Sequence, residues 1–388
     1  MIGETPQSFQ ADVNESTITL EDFAYQLPAE LIAQDPAMER DKSCLLHYDR
    51  TTKKIDHHIF HGIVSILKPS DVLVVNNTKV IPVRLIGRRA NGSSVEILLI
   101  KQESGQSGLW QAMASPLKRL TKGDIVYIAG ETKNHDVAVE DIFIATDGQK
   151  RLIVRLNDPD KAEQTVTLLQ DAGKSPLPPY IVQSRHNTVQ SRHNTVQLQD
   201  PFTREKNDLE RYQTIFAKQP GAIAAPTAGL HFSSSLLDQL KAKGVLISEI
   251  TLHVGPGTFK PITTSIEQHI VESEWFAISK SAVENINAAK KQGRRIIAVG
   301  TTTCRALESA AATGELQATE GSHTSLFIKP GYKFRFIDGL LTNFHLSQSS
   351  LLLLVAAFMG QQELMRTYNA AIERRYRFYS YGDAMLIV

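Results

Sequence analysis

From about Asp71 to Leu156, short runs of β-forming residues follow one another with no helical periodicity between them. They are VLVV (72–75), VIPVRLIG (80–87), VEILLI (95–100), DIVYIA (124–129), DIFIA (141–145) and RLIVRL (151–156). Turn-forming residues such as Asn91-Gly92 and the Gly105 to Gly108 stretch separate several of them. Closely spaced short strands without helices predict a small β-barrel or sandwich. In VEILLI only Glu96 interrupts an apolar run, the pattern of a strand mostly buried on both faces.

After Leu156 the pattern changes to helices alternating with strands. Asn207 and Glu210 have capping-box spacing before ERYQTIFAK, and Pro220 closes that predicted helix. Ser281 and Glu284 repeat the device before NINAAKKQ, with Gly293 where a C-terminal cap belongs. RRIIAVG (294–300) reads as a buried parallel strand, followed by a helix over about Cys304 to Ala312 that Gly314 ends. Further helices are predicted over about Ser234 to Lys243 and 349–359. This alternation predicts an α/β layer around a mostly parallel sheet, which the β-rich block interrupts.

Residues 172–206 read as a connector. It opens with Pro176, Pro178 and Pro179 and carries VQSRHNT twice, at 182–188 and 189–195. The repeat has no apolar a/d stripe, so it is not a coiled coil. A tolerated surface insertion accounts for it; phosphate contact by Arg185, His186, Arg192 and His193 would require a geometry that the repeat does not fix.

Composition narrows the class. A chain of 388 residues suggests two domains at about 150 residues each. Lys and Arg number 42 against 41 Asp and Glu, so a nucleic-acid partner would need a local basic patch, there being no global positive field. Cys44 and Cys304 are too few for a disulfide framework or a zinc cage and are expected as reduced thiols. The start, MIGETPQSFQADVNES, lacks a basic region before an apolar core, so no secretory signal is expected. The longest apolar stretch, Leu351 to Met359, is about half of the roughly 20 residues that span a membrane. A soluble cytoplasmic protein is the expectation.

Several familiar sites are missing. Gly173-Lys174-Ser175 has Leu168 where a P-loop needs its first glycine. Gly255 and Gly257 lack the third glycine of a dinucleotide fingerprint, Lys260 standing in its place. No Gly-x-Ser-x-Gly occurs, and His269, Glu272 and Glu274 do not complete a zinc-like ligand set, so no metal is expected.

Polar residues instead gather in four apolar or glycine-rich segments. GAIAAPTAGLHF (221–232) holds Thr227 and His231, and TLHVGPGTF (251–259) places His253 at a strand end before two glycines. AVGTTTCRALES (298–309) passes from strand to helix through three threonines, and LTNFHL (341–346) sets Asn343 and His345 before an apolar helix. Taken singly, each has a structural explanation: a satisfied buried histidine, a helix cap or a turn. Four together point to a polar ligand site, because backbone N–H groups and loop side chains converge where strands of an α/β sheet feed helices.

At these residues the sequence is similar to the S-adenosylmethionine:tRNA ribosyltransferase-isomerase family of queuosine biosynthesis. The similarity runs from about Asp22 to the C-terminus. It includes FAYQLPAELIAQDP (23–36), VVNNTKVIPVRLIG (74–87), GKSPLPPYI (173–181), ERYQTIFAKQPGAIAAPTAGLHF (210–232), TLHVGPGTF, GRRIIAVGTTTCRALE (293–308), LTNFHL and YRFYSYGDAMLI (376–387). The resemblance implies an α/β fold with a discontinuous main domain, 1–66 and 159–388, and an inserted small all-β barrel domain at 67–158. It implies that S-adenosylmethionine donates its ribosyl group to 7-aminomethyl-7-deazaguanine at the tRNA wobble position. The sugar would rearrange to an epoxy-cyclopentane, giving epoxyqueuosine and releasing adenine and methionine. No prosthetic group is implied, only S-adenosylmethionine as co-substrate and tRNA as partner, with no membrane and a monomeric protein.

The donor carries no phosphate, which agrees with the missing P-loop. Its sulfonium acidifies the adjacent ribose C–H, so a neutral imidazole with pKa about 6.5 suits the base. His231 and His253 are the candidates for proton transfer, with Thr227, Gly255 and Gly257 shaping the donor pocket and Thr302, Arg305, Asn343 and His345 as further pocket residues. Lys79, Arg84, Arg88 and Arg89, together with Arg211 and Tyr212, are the candidates for tRNA contact, a solvated charged face being the alternative. The chain departs from the family pattern at Asn77 and Lys79 (of Asn76-Asn77-Thr78-Lys79), Cys44, Glu272 and Ser347, and Lys for Arg matters at a bidentate site. Two competing functions are a non-catalytic tRNA-binding protein on the same scaffold and a methyltransferase using the same donor.

Overall fold

The computed structural model describes residues 18–103, 108–145, 147–156, 162–182, 201–259 and 261–388. The tandem repeat from residue 183 onward, with Arg185, His186, Arg192 and His193, lies outside the described residues, as do residues 1–17.

Strands β1 (Cys44–Asp49) and β2 (Lys54–Ile59) form a hairpin before the short helix α1 (Ile63–Ile66) and strand β3 (Val72–Asn76). After the short β4 (Thr78–Val80) come β5 (Arg84–Arg89), β6 (Ser94–Gln102), β7 (Leu109–Ser115), β8 (Ile125–Ala129), β9 (Asn134–Ile144) and β10 (Lys150–Leu156). Helices α2 (Ala162–Ala172) and α3 (Pro201–Arg211) precede β11 (Gln219–Ala222), α4 (Ser234–Ala242), β12 (Leu246–Leu252) and β13 (Glu274–Ile278). The chain ends with α5 (Lys280–Lys291), β14 (Ile296–Val299), α6 (Thr301–Ala310), β15 (Thr319–Thr324), β16 (Gly339–Asn343), α7 (Ser350–Met359), α8 (Gln361–Glu373) and β17 (Ala384–Ile387).

Among the described residues the large sheet has nine strands in the order β15-β13-β12-β3-β14-β16-β17-β1-β2. β12, β3, β14 and β16 run parallel at its centre, and β17 pairs parallel with β1. The other four pairings are antiparallel, so the sheet is mixed and not mostly parallel. One reason is local: two successive helices, α7 and α8, connect β16 to β17 and return the chain to the edge it left. In β3 alternate side chains serve opposite faces. Val72 and Val74 enter one core, Leu73 and Val75 the other. Burying each such side chain is worth about 1.5–3 kcal/mol, which is why the run is uninterruptedly apolar.

The strands β10-β7-β6-β5-β8-β9 close into an antiparallel barrel. Val95, Ile97 and Leu99 point into it, while Glu96, Leu98 and Ile100 are half-buried outside, so VEILLI is an alternating barrel strand and not one buried on both faces. Leu168, Leu169 and Ala172 of α2 and Ile223 complete the barrel core. The barrel strands begin at Arg84. Val72–Asn76, inside the 67–158 span expected for the insert, pairs instead with β12 and β14 in the large sheet. VIPVRLIG is likewise not one strand: pairing breaks between Val80 and Arg84, where Pro82 lacks the N–H a ladder needs. β4 pairs with β11 as a two-stranded strap joining the two bodies.

Helix boundaries show where tertiary contacts overrode local patterns. The helix expected to begin at Asn207 instead ends at Arg211. Thr214 then turns the chain, its hydroxyl accepting from Phe216 N–H, while Tyr212 and Phe216 are drawn into separate apolar clusters. The cap of α5 is Ser279, whose hydroxyl accepts from Ala282 N–H, not Ser281. α6 starts at Thr301, ahead of the expected Cys304, because Gly300 at φ +95° lets the chain turn directly from β14 into the helix.

Candidate active site at the strand ends

The central strands β12, β3, β14 and β16 are parallel, so their C-terminal ends emerge at one edge. That edge gathers Asn76 to Thr78, His253, Gly300 to Thr302 and Asn343 to His345, the place where open α/β sheets bind ligands. Topology therefore converges three of the four polar segments, and the fourth, Thr227–His231, crosses beside them as a 3-10 turn.

His253 is held on three sides. Asn76 extends the ladder beyond β3: its side-chain amide donates to Leu252 O at 2.8 Å, and its Oδ1 accepts from Leu252 N–H at 3.0 Å. His253 N–H donates to Trp275 O, and its ring stacks on Trp275 with centroids 4.7 Å apart and planes 16° apart. Its Nδ1 lies 2.8 Å from Thr78 Oγ1, whose hydroxyl donates to Gln219 O at 3.5 Å. In the tautomer whose Nδ1–H is donated to the Thr78 oxygen, Nε2 carries the lone pair. Among the described residues Nε2 makes no hydrogen bond. Burial lowers the imidazole's pKa from its usual value, so the ring is neutral near pH 7.

Nε2 faces the backbone of Gly221, whose φ is +149°; a Cβ there would come within 2.5 Å of it. Beyond lies a cleft of about 820 Å³ between the barrel and the large sheet, lined by Trp110, Gln111, Arg151, Gly255, Gly257 and Arg305 among others. A volume of this order suits a nucleoside-sized ligand. Glu274 Oε2 pairs with Arg305 Nη1 at 2.5 Å while Oε1 accepts from Gly255 N–H at 3.0 Å, so one buried ion pair shapes the glycine turn. Arg305 Nη2 is buried with no hydrogen-bond partner. Glu272 pairs with Arg151 of the barrel at 2.7 Å, and His269 packs its edge on Phe327. His269, Glu272 and Glu274 thus serve separate contacts, and no metal-holding group of three occurs among the described residues.

A smaller chamber shares Val254 and Leu351 with the cleft and is lined by Thr227, Gly300, Thr302, Asn343 and His345. Thr302 Oγ1, Asn343 Oδ1 and Ser380 Oγ are each buried there with no partner. The first turn of α6, with its unpaired N–H groups, opens onto the same space. His345 is half-buried, its Nε2 2.7 Å from Thr342 Oγ1, and desolvation pushes its pKa down to about 3.

His231 is placed differently from His253. Nδ1 is 2.7 Å from Ser43 Oγ and Nε2 is 3.2 Å from Asn343 Nδ2, while the ring stacks on Phe60 at 5.0 Å. Since Asn343 donates to Nε2 and to Tyr379 O, the proton of the imidazole sits on Nδ1 and goes to Ser43. Burial, with Arg377 and Arg40 adding to it, pushes the pKa down to about 3. Both nitrogens are occupied, which leaves no lone pair facing the cleft.

The basic residues do not form one patch. Arg84 is enclosed and pairs with Glu96 and Glu205, and Arg89 pairs with Asp124. Lys79 and Arg88 are exposed, Arg88 donating to Gly92 O. Tyr212 is buried against Tyr381, and Arg211 donates to the carbonyls of Ala37 and Met38. Thr78, Trp275, Gly221 and Ser43 carry no signal of their own in the sequence that marks them as site residues. Only the Asn76-Asn77-Thr78-Lys79 run hinted at Thr78; the rest are ordinary residues until the sheet brings them together.

The family model described as "Queuosine biosynthesis protein" matches residues 20–387. A protein of Carboxydothermus hydrogenoformans named S-adenosylmethionine:tRNA ribosyltransferase-isomerase is 44% identical over 371 residues, covering 95% of this chain and 99% of that one. A Legionella pneumophila protein of the same name is 43% identical with the same coverage. Among solved structures, the S-adenosylmethionine tRNA ribosyltransferase of Thermotoga maritima is 33% identical with a TM-score of 0.49, covering 95% of this chain and 100% of that one. The family model over residues 20–387 and the relatives at 43–44% identity over 95% of the chain make the protein a member of the queuosine biosynthesis family.

Proposed function

We propose that this protein is an S-adenosylmethionine:tRNA ribosyltransferase-isomerase that transfers the donor's ribosyl group to 7-aminomethyl-7-deazaguanine at the tRNA wobble position. The sugar rearranges to the epoxy-cyclopentane of epoxyqueuosine, and adenine and methionine are released. The protein works as a monomer in the cytoplasm and needs no metal or prosthetic group. Among the described residues no helix is long and apolar enough to cross a membrane.

The observation that carries this reading is the free Nε2 of a neutral, oriented His253 at the wall of a nucleoside-sized cleft. In the proposed reaction His253 Nε2 takes the proton from the ribose 5′ carbon beside the sulfonium, the Thr78 contact holding the tautomer that can do so. Trp275 behind the ring excludes water, and Gly221 leaves the approach open. The unpaired Thr302 hydroxyl, Asn343 carbonyl oxygen and α6 N–H groups are suited to the donor's polar ends, with Thr227 and His345 closing the wall. Arg305 Nη2 offers a further donor from the cleft side. His231 holds Asn343 in this scheme, a positioning role on the geometry above. Of the residues expected to contact tRNA, the exposed Lys79 and Arg88 are the proposed face, whereas Arg84 and Arg89 are taken up by carboxylates and Tyr212 is buried.

The test incubates protein, S-adenosylmethionine and tRNA carrying the precursor base, then identifies the released small molecules and the mass of the base. Free adenine with a ribosyl-derived mass gain is the expected result. S-adenosylhomocysteine would instead mean methyl transfer, and tRNA binding with no released product would mean a binding protein.

A further inference from the structure

Across His231 from the Thr302 chamber lies a second pocket, lined by Arg40, Arg211 and Arg377 with Ser43 and Ser380. We propose that this pocket binds a backbone phosphate of the tRNA, a site that rests on the tRNA reading above.

Three guanidiniums converge here with one carboxylate contact between them, Arg377 to Asp383 at 3.3 Å. Arg40 donates to the carbonyls of Leu230 and Glu210, and Arg211 to those of Ala37 and Met38 at 2.5 and 3.0 Å. Carbonyl oxygens satisfy N–H groups but bring no charge to offset the guanidiniums. The imbalance is visible in Arg40, whose pKa is lowered by burial and then by the neighbouring Arg211, outweighing the opposite pull of Glu210 and Tyr381. A bound anion would relieve that repulsion.

The remaining wall is rich in donors. Arg211 Nε is buried without a partner, as is Ser380 Oγ, which is 4% exposed and borders both pockets. Ser43, 3% exposed, receives the His231 Nδ1 proton and keeps its own hydroxyl proton to donate. A phosphate has only acceptor oxygens and matches a cavity of donors, and arginine forks fit it bidentately. The other anion available to this protein, the carboxylate of S-adenosylmethionine, travels with an ammonium that three guanidiniums would repel. The chain Ser43–His231–Asn343 then spans the wall between the phosphate pocket and the proposed donor chamber.

The test compares the wild-type protein with Arg40→Gln/Arg211→Gln, chosen because both side chains bond only to carbonyls that a glutamine amide can still serve. tRNA binding is measured across a salt series, and S-adenosylmethionine binding by equilibrium dialysis without tRNA. The expected result is a plot of log affinity against log salt shallower by about one unit, the share of one phosphate contact, with donor affinity unchanged. Arg40→Lys/Arg211→Lys, which keeps the charge, should recover most of the wild-type slope. An unchanged slope in the glutamine variant would overturn the proposal and leave the arginines as a structural clasp. An unchanged slope with weakened donor binding would assign the anion to the donor's carboxylate, which also overturns it. Failure of the lysine variant to recover the slope would count against it as a folding effect. A wild-type protein that binds no tRNA would remove the functional reading itself, and the phosphate site with it.

Discussion

Thr78 Oγ1 sits 2.8 Å from His253 Nδ1, joining two residues 175 positions apart at the edge of the cleft. Thr78 follows the end of β3 and His253 the end of β12, so the contact exists because those strands are parallel neighbours. In the proposed reaction this contact holds the tautomer with the lone pair on Nε2. Thr78→Val keeps the shape and removes the acceptor. Turnover should fall about tenfold or more, toward the roughly 100-fold loss expected of His253→Ala, with the Km for S-adenosylmethionine nearly unchanged. Steady-state kinetics of adenine release checks this, and equal loss in Km would sink the positioning role.

The pH dependence follows from the direction of the His253 shift. A base must be unprotonated to act, and burial lowers the pKa of His253 below 6.5. Activity should therefore be flat near pH 7 and fall on the acid side with a midpoint under 6.5. Initial rates across the acid range, at pH values where the protein stays folded, would show it. A midpoint above 6.5 would exclude His253 as the base.

Gly221 leaves no room for a methyl group beside His253 Nε2, and its φ of +149° strains any other residue. Gly221→Ala should displace the imidazole and lower turnover by about 100-fold, matching loss of the base itself. A circular dichroism spectrum like the wild type's, together with the lost activity, would show that the effect is local. Full activity would mean that the strap carrying Gly221 yields freely.

His231 and His345 tie stability to pH. Both are neutral when folded, with pKa values of about 3, against 6.5 in the unfolded chain. Above 6.5 neither state is protonated and they contribute no pH dependence. Below it the unfolded state takes up protons that the folded state refuses. Each histidine then destabilises by up to about 1.4 kcal/mol per pH unit down to its folded pKa. Urea midpoints at pH 7 and pH 5 should differ accordingly, and His345→Gln should shrink the difference.

The Glu274–Arg305 pair is enclosed at 5% and 7% side-chain exposure. Glu274→Gln leaves Arg305 charged without its counter-ion and should lower stability by about 3–5 kcal/mol. Its amide oxygen can still accept from Gly255 N–H. A chemical denaturation curve measures the loss, and a change under about 1 kcal/mol would show that the pair is solvent-screened.

The strand texture before Leu156 and the strand–helix alternation after it were legible because side-chain periodicity is a local property. So were the segments that matter: TLHVGPGTF, AVGTTTCRALES and LTNFHL all lie at the ends of the central parallel strands. Roles were less legible. His231 and His253 look equivalent along the chain, each a histidine among small residues, yet one has both nitrogens engaged and the other has Nε2 open. The basic run Lys79, Arg84, Arg88 and Arg89 scatters because barrel register aims Arg84 and Arg89 at carboxylates.

What the chain alone determined is which segments are apolar, where it must turn and which polar groups lie at those turns, since these depend on neighbours a few residues away. Which partner each group meets was decided by strand order. Thr78 with His253, Ser43 with His231 and the three arginines of the second pocket are joined only when distant strands and loops pack together, at a range that local patterns do not encode.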